Sequence, residues 1–74
     1  MRLSEARTRK LLSVRKLAEA AGVAPATIYH IEHDRTTPSF RAIRDVSAAL
    51  DMAPLDIDEF AAVIEGTGAG KAAA

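Results

Sequence analysis

Residues 13–32 read SVRKLAEAAGVAPATIYHIE, and this stretch decides the fold. Ser13 suits a helix N-cap, because its hydroxyl can accept from a free amide of the first turn. Behind it Val14, Leu17, Ala18 and Ala21 recur at helical spacing, which predicts a helix over 14–21 with one apolar side. Gly22 ends it by supplying a left-handed conformation. Only Val23 and Ala24 then precede Pro25, which suits the first position of a helix, where its missing N–H costs nothing. On the helix predicted over 25–32, Ile28 and Ile31 point to the core with Glu32 beside them. The opposite flank carries Ala26, Tyr29, His30 and, just beyond, His33, neither an apolar stripe nor a strongly charged one.

Two short helices joined by a three-residue turn containing glycine have the spacing of a helix-turn-helix. Working outward, a first helix is predicted over about 2–10, with Leu3, Ala6, Arg7 and Lys10 along one side. HDRTTPS, 33–39, is a loop by composition. A fourth helix follows at about 39–50, with Phe40, Ile43, Val46 and Leu50 expected inward. DMAPLD, 51–56, is a second break. Asp56 and Glu59 suggest a capping box for a fifth helix with Ile57, Phe60, Ala61 and Ile64 on one stripe. The fold class expected is therefore all-α, a compact five-helix domain over 1–65, with 66–74 (GTGAGKAAA) as a flexible tail.

Composition agrees. Hydrophobic residues make up 49% of the 74, mostly alanine and aliphatics, and the aromatics are Tyr29, Phe40 and Phe60 alone, which favours packed helices over a sheet. Without cysteine, disulfides and thiolate metal sites are excluded, and a cytoplasmic setting fits. MRLSEARTRK has no apolar run behind its positive charges, so no signal peptide is expected, and no apolar stretch is long enough to span a membrane. The net charge of zero conceals an asymmetry. Residues 1–44 carry +5 and residues 45–74 carry −5. Such a division points to nucleic acid, although two solvated halves would also account for it.

With these residues in view, the sequence resembles the lambda-repressor-like (Cro/CI, Xre-type) helix-turn-helix regulators of bacteria and phages. The resemblance spans roughly residues 3–60. It rests on Arg7, Ser13, Leu17-Ala18, Gly22-Val23, Thr27-Ile28, Ile31-Glu32 and Pro38 in that order. It implies that 25–32 is the recognition helix and 14–21 the positioning helix. It also implies an ion pair between Arg7 of the first helix and Glu32 at the end of the third. The chain departs from the family pattern in four places. Leu11 stands where glycine is common, and His33-Asp34 replaces the usual Asn-Gly. Pro25 replaces a polar residue that often opens the recognition helix, and helix 1 begins about a turn late, so no N-terminal arm is expected to wrap the duplex.

In this fold the outward flank of the recognition helix enters the major groove, its first turns nearest the base edges. The expected base-contacting residues are therefore Pro25, Ala26, Thr27, Tyr29 and His30. Ala26 and the Thr27 methyl suit thymine methyls, and His30 can donate to purine N7 or O6. Tyr29 can offer its hydroxyl to a base, or simply flank the core and touch phosphate. The flank has no arginine or glutamine, so bidentate base contacts are missing and part of the specificity is expected from DNA shape. Expected phosphate contacts are Ser13, Arg15, Arg35, Thr37 and Arg41. His30 and His33 lie three apart beside Asp34, but no second shell is in prospect, so neither metal nor cofactor is expected.

The function expected is a transcriptional regulator, a repressor in the first instance, that binds a pseudo-palindromic DNA operator as a homodimer. The apolar surplus of the fifth helix either closes the core or builds the dimer. The alternative is an antitoxin-like interaction module whose acidic C-terminal half grips another protein, with DNA binding secondary. An enzyme is not expected: no nucleophile, base and orienter converge, and GTGAG, 66–70, has no strand before it.

Overall fold

The computed structural model describes residues 1–66, which form five α-helices and one 3-10 turn: α1 (Leu3–Arg9), α2 (Val14–Ala21), α3 (Pro25–Glu32), α4 (Phe40–Leu50), the 3-10 turn Pro54–Asp56 and α5 (Asp58–Gly66). The described chain is all-α. The helix bounds fall within one or two residues of those read from the sequence. The expected tail lies outside the described residues except for Gly66, which closes α5.

Each helix start has a local cause. Ser13 Oγ accepts from Lys16 N at 3.1 Å, and Ser39 Oγ accepts from Ala42 N at 3.1 Å, so α2 and α4 open on side-chain caps. Pro25 opens α3 with no side-chain cap behind it.

The first four helices all end in one device. After α2, Val23 N donates to Ala18 O and Gly22 N to Glu19 O, with Gly22 left-handed at φ 72. These paired bonds satisfy carbonyls that would otherwise be orphaned at the helix end. The same pair recurs around Leu11 (φ 58), Asp34 (φ 56) and Asp51 (φ 54). Leu11 thus holds a left-handed turn at a residue that bears a side chain, which raises the cost of that turn. It is also the most exposed large apolar residue, at 92%. Asp34 similarly holds a left-handed position, which aspartate tolerates better than most residues.

The core is built from Leu3, Leu17, Ile28, Ile31, Val46, Leu50, Ile57 and Phe60, all essentially without solvent contact. α2 lies at its centre, packed on both α3 and α4. Ile28 and Ile31 therefore hold α3 from beneath.

Two sequence expectations change. Phe40 is not inward but 56% exposed. As the first residue of α4, it has a side chain that leans back past the start of the helix and off the core. The Asp56–Glu59 capping box does not form. Glu59 is instead buried against the start of α1, where Oε1 accepts from Leu3 N at 2.8 Å. Its other oxygen lies 3.3 Å from Arg2 Nη2, an ion pair without hydrogen-bond alignment. A carboxylate from α5 thereby satisfies a free amide of α1. The expected stripe does hold at Ile57 and Phe60, which are wholly committed to the core, whereas Leu55, on the 3-10 turn, is 59% exposed.

Candidate nucleic-acid interface

α3 is anchored on one side and open on the other. Ile28 and Ile31 are buried, while Pro25, Ala26, Tyr29 and His30 are exposed and Thr27 is half-buried. The Tyr29 ring stacks on His33 with centroids 4.1 Å apart and planes at 28°. It meets His30 edge-on at 6.0 Å. His33 Nδ1 lies 2.9 Å from Tyr29 O, a carbonyl that can only accept. Nδ1 therefore carries the proton, and Nε2 is the nitrogen left for an outside partner. The sequence reading placed His33 on this flank without a role. Its spacing of four from Tyr29 is the signal that was present.

The end of α3 is clamped to α1. Arg7 Nε donates to Glu32 Oε2 at 2.7 Å and Nη2 to Oε1 at 3.2 Å, a bidentate pair. Arg7 Nη1 also donates to Leu12 O at 2.9 Å, so one guanidinium ties α1, the turn after it and α3. The side chains are 18% and 6% exposed, which makes this pair structural and mostly shielded from solvent.

Ser13, Arg15, Arg35, Thr37 and Arg41 are all exposed. They are not equally available. Arg41 is loosely paired with Asp45 at 3.9 Å, and Arg44 meets the same carboxylate at 3.2 Å. Among the described residues Arg15, Arg35 and also Lys10 have no ion pair. Lys10 was not singled out from the sequence. The Ser13 hydroxyl is engaged as a cap acceptor and retains its own proton to donate.

Arg35 and Thr37 come together at a polar cleft of about 400 Å³ beside Arg2, Asp34, Asp58 and Glu59. Arg2 bridges this cleft, donating to Asp34 Oδ2 at 2.9 Å and standing beside Glu59. Its pKa is raised above the ordinary arginine value, first by the Asp34 hydrogen bond and then by the Glu59 charge. The loop leaving α3 is thus tied to α5 through one arginine. Among the described residues no three His, Asp or Glu side chains gather as a metal set.

An all-α domain with these two helices, this glycine turn and an outward α3 flank defines the helix-turn-helix class of DNA-binding domain. A family model described as helix-turn-helix matches residues 3–57. The chain belongs to this family, the lambda-repressor-like Cro/CI and Xre-type regulators, and is a DNA-binding regulator of the Xre type. The family is one of regulatory domains and not of enzymes. Neither the curated proteins nor the solved structures compared with the chain give a match. Among the described residues no helix is long and apolar enough to cross a membrane.

Proposed function

We propose that the chain is a homodimeric repressor that reads a pseudo-palindromic operator, laying residues 25–33 of each protomer into successive major grooves. The observation that supports this reading is the open flank of α3. It exposes Pro25, Ala26, Tyr29 and His30 above two fully buried isoleucines. The first turn presents small apolar groups to thymine methyls, and His30 and Tyr29 supply the polar contacts. Arg15 and Arg35, without an ion pair among the described residues, and the Ser13 hydroxyl at the start of α2 serve the phosphates. Two-fold pairing sets half-sites about one helical turn, ~34–36 Å, apart. Regulation acts through occupancy of the operator against polymerase.

The test is selection of duplexes from a random pool, followed by gel shift at two salt concentrations. A bound set with a shared inverted repeat is expected. Failure of every duplex to associate in dilute buffer would refute the reading. A second reading, the antitoxin-like module with secondary DNA binding, draws on one feature, an apolar groove beside α4. Purification of the chain in a fixed ratio with a second polypeptide would favour it.

A further inference from the structure

We infer that the exposed face of α4 is a self-complementary dimer surface on which a second copy of the chain packs antiparallel across Ala48. The inference rests on the two-fold reading above and assigns it a surface.

A groove of about 460 Å³ runs beside α4, its apolar lining drawn from Phe40, Ile43, Ala48, Met52, Pro54 and Ile64. Phe40, at the start of α4, is an exposed large apolar side chain on its wall. Scattered single apolar residues on a surface need no explanation, but a continuous apolar groove does.

The charges beside the groove select its occupant. Phe40, Arg44, Ala48 and Asp51 succeed one another at spacings of four, four and three along the exposed side of α4. Arg44 stands near the basic end, and Asp51, which caps the other end, has no ion pair among the described residues. An identical helix laid antiparallel about a two-fold axis beside Ala48 sets each Arg44 opposite the partner copy's Asp51, because the two positions are nearly equidistant from that axis. The same operation carries Phe40 to the region beyond the facing helix's C-terminus, where Met52, Pro54 and Leu55 lie. Arg44 leaves only an exposed contact with Asp45, which is worth little in water. At the axis Ala48 is small, so the helices can approach to about 8 Å. An isologous contact of this kind closes as a dimer and does not propagate.

The experiment is sedimentation of the full chain without DNA, alongside circular dichroism to verify folding. The wild type is expected to reach twice the chain mass. Arg44→Glu and Asp51→Lys should each sediment as monomers, because like charges then face one another. An equimolar mixture of the two should regain the dimer mass, since every facing pair is again opposite in sign. Asp51 sits at a left-handed position, so Asp51→Lys carries a folding risk; Ala48→Glu, on the exposed face, breaks the dimer by a separate route and leaves the monomer folded.

A wild type that stays monomeric at every concentration, or a dimer unmoved by Arg44→Glu and Ala48→Glu, overturns the inference. So does association in which a different polypeptide replaces the second copy. A folded monomer that still shifts selected duplex would remove this surface and leave the DNA reading intact. A dimer that shifts no duplex would do the reverse.

Discussion

Glu32→Ala is the perturbation that most directly links the fold to the recognition helix. In the wild type Glu32 receives two hydrogen bonds from Arg7, at 2.7 and 3.2 Å, and its side chain is 6% exposed. Removing it leaves the guanidinium with one internal acceptor, Leu12 O, at 18% exposure. Breaking a buried pair by deleting one member costs about 3–5 kcal/mol. The partial access of Arg7 to water argues for the lower end, about 3 kcal/mol. A 74-residue domain at ~0.05–0.15 kcal/mol per residue has only about 4–11 kcal/mol in all. At ~4–8 °C per kcal/mol, the melting temperature should fall by about 12–24 °C. Thermal and urea unfolding followed by circular dichroism measure this directly. The pair acts by satisfying two charges and not by adding net attraction, so Arg7→Met with Glu32→Leu should recover most of the loss. A single variant within about 1 kcal/mol of the wild type would show that the pair is solvated and that α3 is held by its isoleucines alone.

Three further outcomes are expected. Leu11→Gly should stabilise the domain by about 1 kcal/mol, because the left-handed φ of 58 costs a side-chain-bearing residue about that much and the leucine buries almost nothing in return; unchanged urea midpoints would mean the turn is unstrained. Ser13→Ala should cost about 1 kcal/mol through loss of the bond to Lys16 N, read in the same unfolding experiment, with Ser13→Asp retaining most of the stability. Arg35→Ala should weaken binding to all duplexes alike and reduce the salt slope by about 1, as measured by titrations at several ionic strengths; an unaltered slope removes Arg35 from the phosphate contacts.

What the chain order conveys most clearly is whatever closes within a few residues. The Ser13 cap, the Gly22 turn, Pro25 at the start of α3 and the burial of Ile28 and Ile31 are each consequences of a neighbour one turn away. Those four suffice to place the open flank of α3, which is the heart of the candidate interface. Leu11 shows the limit even for local features. A leucine does not advertise a left-handed turn, and only the paired bonds from Leu11 N and Leu12 N reveal it. Periodicity misplaced Phe40 because it assigns a face but ignores how a side chain leans at the first position of a helix.

The sequence by itself determined the helices, the Ser13 cap, the glycine turn and the division of charge between the two halves, since each follows from local propensity and spacing. Only the tertiary structure decided where the long-range polar partners lie. Glu59 turned from its own helix to cap α1, 56 positions away, and Arg2 joined the loop after α3 to α5. It also decided which apolar side chains were left over, committing Phe60 to the core and leaving Phe40 and Leu55 outside. The physical reason is that a small core has room for a limited set of side chains. Which ones it takes, and which buried charges then need a partner, depends on how the helices stack and not on the order in which they are written.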